Sequence, residues 1–312
     1  MNEHPQISTK ASNIWSLTKS DCNVLDLFCG AGGMSLGFEI ERYNVLAAVD
    51  YDKAAIQTYR YNHPDMNEEN IILGDLTKKD TKQSIEKVLH NKICDIIIGG
   101  PPCQGFSKAN RQRVIDDPRN QLYKEFVSIV AKVQPKVVVM ENVTGIQKKS
   151  EEILDDFKKI GFLGKVFLLR AEEFKIPQRR ARVFFVLCNE KEYSNIEKQL
   201  QNFENHLHQS KATSTFVLKD ALSGLRIIKA NPKKNDTSVE NAESGYAVDN
   251  LEGSSQLFYG NNNEKFLDFI NGSTKKPDVI YNHKARFNNT RDIKIFSRLP
   301  QGANSLHESI AD

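Results

Sequence analysis

The chain has 312 residues, 27% of them charged and 39% hydrophobic, with a formal net charge of +3. That composition belongs to an ordinary soluble globular protein, long enough for a sizeable core and one or two domains. It provides no basic tail, so any nucleic-acid-binding surface must be local.

No apolar run approaches the roughly 20 residues that a bilayer span needs, so no membrane association is expected. The N-terminus, MNEHPQISTKASN, is polar and lacks an apolar signal segment, which predicts a cytoplasmic protein. Five cysteines (Cys22, Cys29, Cys94, Cys103 and Cys188) are scattered and form no C-x-x-C pair. Neither zinc nor any other metal is expected from that spacing, and a disulfide framework is not indicated either.

In chain order, residues 1–21 read as a tail. NVLDLF (23–28) reads as a strand and MSLGFEIER as a helix; NVLAAV (44–49) and DKAAIQTYRYN repeat the pair. NIIL (70–73) with TKQSIEKVLHN makes a third, and ICDIII (93–98) with QLYKEFVSIVAKV (121–133) a fourth. KVVVME (136–141) with SEEILDDFKKI, closing at Gly161, makes a fifth, and RVFFVLC (182–188) adds one more strand. Strands that are almost continuously apolar, alternating with amphipathic helices, predict an α/β fold with a doubly wound, mostly parallel sheet. After Leu225 the texture changes. Residues 229–256 are polar and read as a linker or disordered insertion between a domain at 22–228 and a region at 257–312. From Lys275 to Arg298 seven Lys/Arg face two Asp, which suits either a phosphate-facing stretch or a solvated loop.

Ligands in such sheets bind beyond the carboxyl ends of the strands, and the unusual residues fall there. DLFCGAGG follows strand one, Asp50 strand two, GDL strand three, GGPPCQ strand four and ENV strand five. The glycine turn suits close approach of a ligand to backbone N–H groups, and Asp50, 20 residues after Gly30, is placed for ribose hydroxyls. A dinucleotide fingerprint would need glycine at position 35, where Ser35 stands, so a dehydrogenase fits poorly. In IIGGPPCQGFS, prolines and glycines build a rigid loop around Cys103, which is either a buried thiol or a positioned nucleophile. Glu141, at the end of an apolar strand, is either an ordinary strand-end acid or a proton donor with a raised pKa. Arg180 and Arg182 alternate onto one side of an extended segment, as surface charges or as anchors for an anionic or carbonyl-bearing substrate.

DLFCGAGG, PPCQGFS, ENV and QRRAR, in that order, resemble the DNA (cytosine-5) methyltransferases of bacterial restriction–modification systems, closely over residues 22–190. The resemblance implies a Rossmann-like, S-adenosylmethionine-dependent methyltransferase fold acting on double-stranded DNA. It implies that Cys103 attacks carbon 6 of a flipped cytosine, that Glu141 supports protonation at N3, and that Arg182, with Arg180 beside it, contacts the base. It also implies a cofactor site of Phe28, Gly30, Gly32, Asp50, Tyr51, Asp75, Leu76, Pro101 and Leu122, with core packing the alternative for Tyr51 and Leu122. Gln104 and Ser107 would lie on the loop that closes on DNA, with Lys108, Arg111, Arg113 and Arg119 on phosphates.

Two motifs of the family, an R-E-x-x-R-L-type helix and a G-N-[SA]-V segment, are not found in this sequence. The region 257–312 therefore reads as the start of an incomplete target-recognition part. The expectation is a truncated product, or one subunit completed by a second polypeptide and poorly active alone. The rivals are a tRNA cytosine methyltransferase, disfavoured by the lack of a downstream C-F-T motif, and a non-catalytic cofactor- or DNA-binding remnant.

Overall fold

Leu25, Leu27, Val24 and Asp26 alternate along one strand, yet all four are buried, because helices cover both faces of the sheet to which they belong. The computed structural model describes residues 21–102, 122–212 and 216–225, together with 255–256, 261–271, 279–280 and 288–298. The chain divides into two units, Met1–Thr215 and Phe216–Asp312.

The first unit alternates strands and helices. They are β1 (Asn23–Leu27), α1 (Gly33–Ile40), β2 (Asn44–Asp50), α2 (Lys53–Asn62), β3 (Ile71–Leu73), α3 (Lys79–Leu89), β4 (Ile96–Gly99), α4 (Leu122–Val133), β5 (Val137–Val143), α5 (Ser150–Lys158), β6 (Phe162–Arg170), β7 (Ala181–Asn189) and α6 (Ile196–Ser210). The strand order is β3-β2-β1-β4-β5-β7-β6. β1 to β5 are mutually parallel, and β7 runs antiparallel between β5 and β6. The strand predicted at 182–188 is thus the single reversed strand of a mostly parallel sheet.

Alternation along the strands sorts the core into two layers. Leu25, Leu27, Ile97, Val138 and Met140 pack with Ile85 of α3, Phe126 and Val130 of α4, and Ile153 and Phe157 of α5. On the opposite face Val24, Ile96 and Ile98 meet Met34 and Phe38 of α1, while Ala48 meets Ile56 and Tyr59 of α2. Phe167, Val186 and Cys188 receive Ile196 and Leu200 of α6. β6 was not expected from the sequence. It is one of the two edge strands, mostly half-buried, and Gly164 and Lys165 interrupt the apolar run that marks the inner strands.

Gly99 ends β4 where there is no room for a side chain. A Cβ there would lie 2.1 Å from the Leu27 carbonyl oxygen and 2.8 Å from the Phe126 ring. This is the physical reason for the first glycine of the GGPP run.

In the second unit α7 (Leu218–Leu222) precedes α8 (Asn261–Asn271). The Phe216 ring lies 5.4 Å from that of Phe266 and 5.6 Å from that of Phe269. β8 (Ser255–Gln256) and β9 (Val279–Ile280) form an antiparallel pair, and α9 (Thr290–Arg298) follows. Among the described residues no helix is long and apolar enough to cross a membrane.

Phe157 is fully buried, its ring edge-on to Phe126 at 6.4 Å. Phe157→Ala is expected to lower unfolding stability by about 3–5 kcal/mol, read from urea denaturation midpoints.

Candidate active site

The parallel register levels the strand ends. Ile72, Val49, Leu27, Gly99 and Met140 are paired in one row across β3, β2, β1, β4 and β5. The next residue along each strand therefore forms a second row: Leu73, Asp50, Phe28, Gly100 and Glu141. Four strand spacings separate its ends, about 19 Å. The strand order reverses between β1 and β4, the place where open α/β sheets form their ligand crevice.

At the β1 end the chain turns sharply. Phe28, Gly30 and Gly32 all have positive φ (59°, 55° and 93°). Asp50 ties this turn to β2: its carboxylate accepts from Gly30 N at 2.9 Å and from Asp52 N at 2.9 Å. Tyr51 is 67% exposed, so it is not a core residue and its ring is open to a ligand. Asp75, after β3, accepts from the amide and the hydroxyl of Thr77, and those bonds hold its carboxyl below the usual range. Leu76 packs into the core, leaving its backbone as the part that a ligand could read. Phe28 and Leu122 are partly buried, and Pro101 is buried. A Cβ on Gly30 or Gly33 would meet nothing within 4 Å, so there is open space beside the turn. A glycine turn, an ionised acid, an exposed ring and a free volume beside them fit an adenosine with a charged tail.

At the β5 end Glu141 meets Arg182, Oε1 to Nε 2.9 Å apart, with both side chains about a quarter exposed. Burial pushes the Glu141 carboxyl up from its ordinary value, while Arg182 and Arg180 pull it part of the way back. Arg182 also donates to the Ala181 carbonyl, which fixes its guanidinium. Gly100 lets Glu141 come close: a Cβ there would be 3.3 Å from Oε2. Arg180 is exposed near the start of β7. Cys103 follows Pro102 directly in the sequence, but it lies outside the described residues, as do Gln104, Ser107, Lys108, Arg111, Arg113 and Arg119. The four described cysteines, Cys22, Cys29, Cys94 and Cys188, are all buried thiols.

Two buried residues that brace the loops of the candidate site escaped sequence reasoning. Asn142, buried at 4% exposure, donates to the Pro101 carbonyl at 2.9 Å and so braces the loop that leads to Cys103. Its presence in ENV, next to the acid, was the available signal. Asp26, 1% exposed, accepts from the Ser35 hydroxyl at 2.6 Å under the glycine turn. In the second unit, Arg291, Lys294 and Arg298 lie three and seven residues apart, exposed on one face of α9. This part of the basic stretch is helix, not loop.

The sheet order, with helices on both faces, is that of a Rossmann-like methyltransferase fold. A structure from an E. coli prophage, assigned as a DNA modification methyltransferase, shares that fold with a TM-score of 0.61 at 24% identity, over 92% of this chain and 78% of its own. The sequence model described as C-5 cytosine-specific DNA methylase matches residues 22–299. The chain belongs to that family.

Among its relatives are Type II methyltransferase M1.HphI of Haemophilus parahaemolyticus and Type II methyltransferase M.DdeI of Desulfomicrobium norvegicum. The first is 41% identical over 52% of this chain and 44% of its own length. The second is 34% identical over 92% of this chain and 63% of its own length. The chain thus spans about half to two thirds of the length of these curated relatives.

Removal of the Asn142 brace should be measurable. Asn142→Ala orphans the Pro101 carbonyl and is expected to lower stability by about 1–3 kcal/mol in urea denaturation. Asp26 gives a pH signature. Burial pushes its carboxyl up to about 7, against an ordinary value near 4. The folded state then holds a proton that the unfolded state has released. The resulting stability is full below about pH 4 and is lost as pH rises to about 7. Asp26→Asn cannot ionise, so its melting temperature should gain on wild type between about pH 4 and about pH 7. A difference that stays flat across that range would refute this assignment.

Proposed function

We propose that the chain transfers a methyl group from S-adenosylmethionine to carbon 5 of cytosine in double-stranded DNA, as the modification enzyme of a cytoplasmic restriction–modification system. The observation that carries the reading is the Glu141–Arg182 pair, set in the same row as Gly100 at the head of the PPC loop.

Family membership supports the same reading, and so do the names of the Type II relatives. S-adenosylmethionine, when bound, supplies an electrophilic methyl group. Asp50 would hold its ribose hydroxyls, Tyr51 would lie on its adenine, and Asp75 with the Leu76 backbone would read the adenine edge. The glycine turn and Pro101 would line the remainder.

Glu141 sits where a carboxyl retains its proton more readily than in water. It would hold a proton at N3 of a base swung out of the duplex, making carbon 6 electrophilic. The Cys103 thiolate would add to carbon 6, so that carbon 5 becomes nucleophilic and takes the methyl group. Loss of the carbon 5 proton to a base then expels the thiolate. Arg182, already oriented by Glu141 and the Ala181 carbonyl, would donate to the base carbonyl, with Arg180 adding positive potential. Residues 22–228 would carry this chemistry, and residues 257–312 would open the target-recognition part, with the basic face of α9 on phosphates. A second polypeptide that completes recognition belongs to the same reading.

The test uses DNA containing 5-fluorocytosine, in which the carbon 5 substituent cannot leave as a proton. With tritiated methyl donor, wild type should form a labelled protein–DNA adduct stable on a denaturing gel. Cys103→Ser should form none, and Glu141→Gln should form it at least about 100-fold more slowly. Absence of adduct from wild type, with candidate partner chains added, would leave a binding module instead.

A further inference from the structure

The end of α2 and the residue after it touch the glycine turn and the start of α1 at three places, through Tyr59, Asn62 and His63, none of which belongs to the site described above. Asn62 Nδ2 donates to the Ala31 carbonyl at 3.0 Å. Tyr59 donates to the Ser35 hydroxyl at 2.8 Å, and Ser35 in turn donates to Asp26. Between them lies His63, whose ring fills the space where a side chain on residue 32 would have to go. A Cβ built on Gly32 would be 2.0 Å from His63 Nε2.

The ring is held from two sides. Its Nδ1 lies 2.7 Å from Glu39 Oε2 on α1, and the ring stacks on Tyr59 with centroids 4.1 Å apart and planes at 22°. Nδ1 thus faces Glu39, and Nε2 faces Gly32. Nε2 is buried and has no hydrogen-bond partner among the described residues. A buried polar atom without a partner calls for a reason. Here the reason is steric: the ring is a prop against Gly32, not a link in a polar chain.

We propose that Tyr59, Asn62 and His63 form a positioning clamp that holds residues 31–35 in the shape that receives the methyl donor. The inference rests on the methyl-donor reading above. A glycine turn with positive φ at positions 30 and 32 has many competing conformations when unsupported. If it had to order itself on binding, that cost would be subtracted from affinity; a turn ordered beforehand avoids it. The clamp residues act through the turn, by fixing the Ala31 carbonyl, the Gly32 backbone and the Ser35 hydroxyl.

The experiment uses the full chain with Asn62→Ala, His63→Ala and His63→Phe. Asn62 is exposed, so its variant keeps the fold even if loss of the buried imidazole does not. Hydrogen exchange is followed first without any ligand. The reporting amides are Gly32, bonded to the Cys29 carbonyl, and Leu36, bonded to the Gly32 carbonyl. Binding of S-adenosylmethionine is then measured by calorimetry.

Both alanine variants should exchange these amides at least about tenfold faster, with β4 and β5 unchanged, and should bind about tenfold more weakly. His63→Phe, which keeps a ring against Tyr59 and Gly32, should recover most of both losses. Unchanged loop exchange in Asn62→Ala, or a His63→Phe variant as loose as His63→Ala, would overturn the clamp. If wild type binds no S-adenosylmethionine while loop exchange still responds, the methyl-donor reading falls and the clamp stands.

Discussion

The site depends on one constraint: five parallel strands end level on one edge of the sheet. Parallel pairing sets Val49, Leu27, Gly99 and Met140 in a single row, and the residues that follow have no choice but to gather beyond it. A slip of one residue between β5 and β7 would put Glu141 and Arg182 on opposite faces. The pairing of Val143 with Arg182 across β5 and β7 completes the arrangement from the antiparallel side. Burial on both faces enforces the register, since each strand buries its alternating side chains against helices on either side.

Within that edge the two halves of the crevice have different physical characters. The β1–β2–β3 side is a surface of backbone amides, acids and one exposed ring, held by bonds such as Gly30 to Asp50. The β4–β5–β7 side is drier and charged. There a carboxyl is pushed toward its neutral form by burial while a guanidinium at 2.9 Å opposes the shift. The net effect of burial against the two arginines is a carboxyl that holds its proton more readily than one in water. The strand-order reversal lies between the two halves.

The supporting residues follow a common pattern. Asn142, Asp26, Ser35, Tyr59 and His63 are polar and buried: Asn142 bonds the Pro101 backbone, Tyr59, Ser35 and Asp26 are linked side chain to side chain under the glycine turn, and His63 sets its ring against Gly32. Such groups are costly to bury unless the surrounding structure satisfies or uses them. Their placement under the glycine turn and beside Pro101 puts rigidity where a ligand would otherwise have to supply it.

Much of this was legible in the chain itself. Apolar runs of four to six residues, glycine and proline punctuation and amphipathic helices fix the order of elements and the doubly wound class, because those signals are local. The motifs likewise put Asp50, Glu141 and the arginines at strand ends. What only the tertiary structure decided is pairing. The half-exposed edge strand β6 has no continuous apolar run to announce it. The reversal of β7, which brings Arg182 to Glu141, depends on contacts far apart in sequence. His63 belongs to none of the sequence motifs, and only packing sets its ring against Gly32. Periodicity reports which face of a segment is apolar, but it carries no information about which other segment will cover that face.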